Sequence, residues 1–239
     1  MLTLVAALVL TSNWSQKLPD GTTVKLVAVS NAGAKKFWSP EGKGQKPPTL
    51  TSAIRPTDIG GKNELAFFCQ LGSAQLPSVA FKVGTQFLPS GFTVMEEKNS
   101  KAWWAGTTIA NKKLPKQLDL KVGVGTGKWK LAATYSLQTG ESKGPKFFGF
   151  VLRDMKKPWD GVVAIDCTIP KSVVGKSAYE IRLFDASGKA MTPTGSGPMK
   201  AGQKPKYFYI DRKQRLIRAD LMTRPYKWIT FKGVSTKAK

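Results

Sequence analysis

The stretch Leu118-Asp119-Leu120-Lys121-Val122-Gly123-Val124-Gly125-Thr126-Gly127-Lys128-Trp129 decides the fold class. Leu118, Leu120, Val122 and Val124 alternate with Asp119, Lys121 and Gly123. That is the period of a strand with one buried face. Beyond Gly125-Thr126-Gly127 the pattern resumes, with Trp129, Leu131, Ala133, Tyr135 and Leu137 on the apolar side. Two period-2 arms around a glycine-containing three-residue loop predict a β-hairpin.

The same pattern repeats along the chain. Pro19-Asp20-Gly21 is a turn feeding the strand Val24-Lys25-Leu26-Val27-Ala28-Val29. Tyr179-Glu180-Ile181-Arg182-Leu183 runs into an Asp185-Ala186-Ser187-Gly188 turn, and Tyr207-Phe208-Tyr209-Ile210 is a further strand. A second hairpin is predicted at the far end, with Ile217, Ala219 and Leu221 turning through Arg224-Pro225-Tyr226 into Trp228-Ile229-Thr230-Phe231. Residues 39–49, 140–145 and 192–205, rich in Gly, Pro and Lys, read as loops. Helical periodicity is almost absent. These patterns predict an all-β fold, an antiparallel β-sandwich or jelly-roll-like architecture with very little helix. Residues 14–239 form this β-rich domain, either as one body or as two packed lobes joined near Pro115 or across 153–159.

The chain carries 38 Lys+Arg against 15 Asp+Glu, a formal net charge of +23. Such a surface attracts polyanions. Only seven of the bases are arginines, Arg55, Arg153, Arg182, Arg212, Arg215, Arg218 and Arg224. Specific recognition of bases and phosphates favours the arginine fork. The lysine-dominated, dispersed charge therefore reads first as a solvated surface; an anionic polymer or glycan is the partner it could attract, and no sequence-specific nucleic-acid binding is expected. The cluster Arg212-Lys213-Gln214-Arg215-Leu216-Ile217-Arg218 reads as the solvated face of an edge strand, where bases discourage aggregation.

Histidine is absent altogether. Ser-His-Asp and Cys-His catalysis and histidine-ligated metals are therefore excluded. Carboxylate chemistry, Ser-Lys chemistry or a carboxylate-bound hard cation is left. The acids are scattered. Glu96-Glu97 is the one adjacent pair, and strand neighbours point to opposite faces. Asp154 and Asp160 flank the basic-aromatic turn Met155-Lys156-Lys157-Pro158-Trp159. No catalytic residue, metal site or cofactor is assigned. The run from Gly123 to Lys128 fails as a phosphate loop, because position 122 is Val and no helix follows.

Tryptophans beside lysines are the best binding candidates: Trp38 next to a lysine-rich loop, Trp103-Trp104 after Lys101, and Trp159 after Lys156-Lys157. Exposed rings there would stack on sugars or hold cations. In an adjacent pair one ring points out, so Trp103 or Trp104 is the leading exposed candidate. Trp129 and Trp228, on regular strand faces, read as core filling.

Leu2 to Leu10 is an uncharged apolar run that is too short to span a bilayer, so no transmembrane span is expected. Residues 1–13 read either as a signal-peptide h-region, which implies export, or as a first buried strand. Cys69 and Cys167 both face the apolar side of a strand pattern. They would form one inter-sheet disulfide in an exported protein, or remain two buried thiols acting as small hydrophobes.

The phrases Leu18-Pro19-Asp20-Gly21-Thr22-Thr23-Val24-Lys25-Leu26-Val27-Ala28-Val29, Phe37-Trp38-Ser39-Pro40-Glu41-Gly42, the 118–129 stretch, and 223–234 (TRPYKWITFKGV) occur in this order. Together they resemble a poorly characterised β-rich extracytoplasmic module of environmental bacteria. That module is found alone or attached to membrane-anchored sensor-type zinc peptidases and sigma-factor regulators. The resemblance implies a sensing or scaffolding role outside the cytoplasm. It carries no catalytic residues, since the HExxH of the attached peptidases is missing here. The leading expectation is an exported, non-enzymatic protein that binds an extracellular ligand. The alternatives are a carboxylate-dependent glycan hydrolase and a nonspecific nucleic-acid-binding protein.

Overall fold

The computed structural model describes residues 14–31, 34–50, 55–73, 77–88, 90–95, 102–111, 113–136, 142–143, 150–153, 162–167, 176–191, 195–196, 206–211 and 216–239. The apolar run Leu2 to Leu10, the Glu96-Glu97 pair, Asp154, Asp160 and residues 212–215 lie outside them. So do Lys156, Lys157 and Trp159 and most of the 140–145 and 192–205 loops. The fold is nearly all β, with the single 3-10 turn Pro56–Asp58 among the described residues. The chain forms two compact units, one made of residues 1–123 with 228–239 and the other of 124–227.

The first unit contains β1 (Ser15–Lys17), β2 (Thr23–Asn31), β3 (Lys36–Trp38), β4 (Glu64–Gly72), β5 (Val79–Val83), β6 (Gln86–Leu88), β7 (Ser90–Met95) and β8 (Ala102–Ala110). It also holds most of β9 (Gln117–Gly125). One of its sheets runs β1-β2-β4-β8-β7, with β3 paired to β2. The turn before β2 forms as the sequence predicts. Leu18 and Gly21 bond across it, and Gly21 has φ +88°, a conformation that glycine adopts without penalty. Opposite this sheet lie β6, β5, β9 and the end of the long strand Leu216–Ser235. The rings of Trp14 and Phe231 stack at 6.4 Å between the layers. The Trp38 indole donates to the Ser235 carbonyl at 2.9 Å. This is an antiparallel sandwich.

Both faces of the first sheet are covered. Leu65, Phe67, Cys69 and Leu71 share the face of Trp38 and Trp103, toward the second layer. The other face carries Ala28, Phe37, Ala66, Phe68 and Trp104, and Leu50 packs on it with Ile59 alongside. Residues 39–49 are a loop as expected, and the next residue, Leu50, is buried.

The second unit contains β10 (Lys130–Ser136), β11 (Ser142–Lys143), β12 (Phe150–Arg153), β13 (Val162–Cys167), β14 (Ser177–Asp185), β15 (Ala190–Met191), β16 (Gly195–Ser196), β17 (Lys206–Asp211) and the first part of β18 (Leu216–Ser235). In it β18 lies between β10 and β14, and a separate sheet runs β12-β13-β17-β16. At the 185–188 turn the Asp185 carboxylate accepts the Ser187 and Lys189 N–H groups, an Asx-type closure.

Three expectations are corrected. The arms around Gly125-Thr126-Gly127 are both strands, but they do not pair as a hairpin. β10 pairs with β18, and β9 lies between β18 and β5. The register shifts between Leu131 and Ala133, so Leu131 leaves the apolar face and is 58% exposed. The second correction concerns Pro225, which makes no turn. β18 continues through it for 20 residues, with Pro225 opposite Ser177 and its carbonyl accepting the Thr126 N–H. An extended backbone suits proline, and its missing N–H is tolerated where a strand exchanges partners. The third is that Arg218 belongs to a strand paired on both sides, so the basic cluster does not run along a sheet edge there.

Candidate functional site

Of the tryptophans that the sequence offers as exposed platforms, Trp159 lies outside the described residues and the other three are buried. Trp38 is 2% exposed, Trp103 8% and Trp104 4%. Trp103 and Trp104 do point to opposite faces of β8, but β8 belongs to a sheet buried on both sides. Trp103 donates to the Ser73 carbonyl at 3.0 Å, and Trp104 joins the cluster under Leu50. Cys69 is a free, buried thiol, opposite Leu26 on one side and Ala105 on the other. The disulfide reading is therefore not realised at Cys69. Its central strand position encloses it, and burial pushes its titration far above the ordinary thiol range.

The rings read as core filling are the partly exposed ones. In the second unit, Trp129 has the Arg224 guanidinium over its ring at 4.3 Å. Arg224 is itself buried. The Tyr226 phenol is pushed up to about 12 by burial and by Tyr179, with Arg224 acting in the opposite direction. This cluster closes the Trp129 face with protein cation.

In the first unit the outer face of the second layer gathers lysines around an aromatic pair. β9 buries Leu118, Leu120 and Val122 and exposes Gln117, Asp119 and Lys121. Gly123 follows in the same row, and the Trp228 ring lies directly on it. A Cβ at that position would sit 2.9 Å from the ring. Phe87 meets Trp228 edge-on, with centroids 6.1 Å apart. Above them, the Lys82 ammonium lies 3.9 Å from the Phe87 centroid and 4.3 Å from that of Trp228. Burial lowers the Lys82 titration below the ordinary lysine range, and Lys121 lowers it further. Lys232 is exposed on β18. The one acid of the β9 row, Asp119, accepts the Gly233 N–H at 3.0 Å.

This arrangement holds an ammonium in one place before any ligand arrives, because cation–π contact with two rings removes much of the freedom of a lysine stem. A second ammonium beside it makes an anionic ligand group the natural complement. Sequence reasoning passed over Lys82 and Phe87, yet a signal was present. Phe81-Lys82-Val83-Gly84-Thr85-Gln86-Phe87 has a two-residue Gly-Thr loop, and Gly84 has φ +58°. That loop pairs Lys82 directly with Phe87. Among the described residues, no group of three or more His, Cys, Asp or Glu could hold a metal ion. Likewise no helix is long and apolar enough to cross a membrane. No protein-family model, curated protein or solved structure matches the chain.

Proposed function

We propose that this chain is an exported, non-enzymatic β-sandwich protein that binds or senses an extracellular ligand, namely an anionic envelope polymer or glycan. The observation that carries the reading is the Lys82 ammonium set over Phe87 and Trp228 with Lys121 beside it, on the outer face of a sheet. The formal charge of +23, mostly lysine, adds long-range attraction for a polyanion. The resemblance to an extracytoplasmic module fits a sensing role.

The test uses immobilised polygalacturonate, with neutral dextran as control, over a range of ionic strength. The expected result is salt-sensitive retention on polygalacturonate and none on dextran. The double variant Lys82→Gln/Lys121→Gln should bind about tenfold more weakly, the loss of at least one charge-assisted contact. Undiminished binding by that variant overturns the site. Shortening of the polymer during incubation overturns the non-enzymatic reading and favours a carboxylate-dependent glycan hydrolase. Equal retention on duplex DNA overturns the glycan preference.

A further inference from the structure

We infer that the exposed row of β9 is a ruler, binding a linear acidic polysaccharide at two cationic poles held a fixed distance apart. The inference rests on the polymer-binding reading above and adds a length and a ligand class to it. At one end of the row Gln117 lines a cleft of about 320 Å³ together with Lys116, Ser235, Lys237 and Lys239. At the other end, Lys121 and Gly123 adjoin Lys82 and Trp228. The six steps from Gln117 to Gly123 span about 20 Å at the usual strand rise of 3.2–3.4 Å per residue. Both poles lie in the first unit and adjoin one strand, β9, which sets their spacing.

The chemistry between the poles selects among polyanions. Gln117, at the edge of the cleft, and Asp119, between the poles, are exposed and carry hydrogen-bonding groups. A DNA strand carries a phosphate on every nucleotide, about every 3.4 Å of duplex axis, and offers the Asp119 carboxylate no hydroxyl groups between them. A galacturonate chain carries free hydroxyl groups beside the carboxylate on each residue, and because successive residues are rotated about the chain it can turn hydroxyls toward both side chains. Its acidic groups meet the lysines at the two ends, and its C–H faces meet the half-buried pair Trp228 and Phe87. Each pole alone is a weak site of surface lysines. A ligand that reaches both converts the second contact into an intramolecular one and gains affinity by effective concentration.

The test is calorimetry of the full chain with galacturonate oligomers of increasing length. A disaccharide is expected to bind weakly. Affinity should step up by at least about tenfold once the oligomer can reach across the row. The variant Lys237→Gln/Lys239→Gln should remove the step and reduce disaccharide binding from two weak sites to one, the site at the Lys82 pole. Lys82→Gln should weaken both. A smooth rise with ligand charge, matched by single-stranded DNA of equal charge, overturns the ruler while leaving polymer binding in place. Persistence of the step in Lys237→Gln/Lys239→Gln also overturns it. Failure of polygalacturonate itself to bind overturns the ruler and the proposed function together.

Discussion

Replacing Gly123 by alanine should destabilise the first unit, although alanine is the better strand residue. The ideal Cβ would lie 2.9–3.0 Å from three atoms of the Trp228 ring. Real side chains do not approach so closely, so the ring must lift. Lifting it disturbs its edge contact with Phe87 and its contact with Lys82. Forcing extra volume into a packed contact costs about 1–3 kcal/mol. In the opposite direction, glycine within a strand is worse than alanine by roughly 0.5–1 kcal/mol. Gly123 has no positive φ that would penalise the substitution. The sign of the effect therefore depends on Trp228 alone. In the native background Gly123→Ala should lower stability by about 1–2 kcal/mol. In a Trp228→Ala background the same change should raise it by about 0.5–1 kcal/mol. Urea unfolding followed by circular dichroism closes the double-mutant cycle, and hydrogen exchange at the β9 amides reports on the first unit by itself. Equal effects in the two backgrounds would refute the reasoning, since they would mean that the ring does not rest on Gly123.

Two further outcomes follow from the same structure. Trp38→Phe removes the donor to the buried Ser235 carbonyl and should cost about 1–3 kcal/mol of stability; polygalacturonate affinity of the folded variant should not change, and a drop in it would restore Trp38 as a ligand contact. Tyr226 should titrate near 12, against 10.0 for an ordinary tyrosine, by ultraviolet phenolate absorbance. Its folded value is raised, so the unfolded chain releases the proton first, and the associated stability is lost as pH climbs from about 10 to about 12. Tyr226→Phe should abolish that component of alkaline destabilisation, and an unchanged profile would show that the phenol is not enclosed.

Strand positions were legible in the sequence because burial on one face imposes period 2, as at Leu118, Leu120 and Val122. Strand partners were not, because alternation fixes which way a side chain points and is silent on which strand lies alongside. Thus the arms flanking Gly125-Thr126-Gly127 read as a hairpin although β18 supplies the partner of β10. Pro225 misled for a related reason. Its cue for a turn is a statement about φ and a missing donor, and both suit an extended strand equally well. For the site, proximity in sequence between tryptophan and lysine proved a poor guide. Trp38 and Trp103-Trp104 have lysines nearby in the chain, yet their rings are enclosed by layers contributed from elsewhere. The cation that reaches Trp228 comes from Lys82, far away in the chain and brought close by sheet order.

The first unit is discontinuous in the chain, built from residues up to Gly123 and again from Trp228 onward, with the second unit inserted between. Synthesis runs in one direction, so the second unit is complete before the first can close. Until Trp228 and Phe231 emerge, the ring of Trp14 lacks its Phe231 neighbour and Gly123 stays uncovered. The cluster of Lys82, Phe87 and Trp228 is thus assembled only after the second unit has been made. A chain truncated before Trp228 would present Lys82 and Lys121 without the Trp228 ring that helps to hold the Lys82 ammonium.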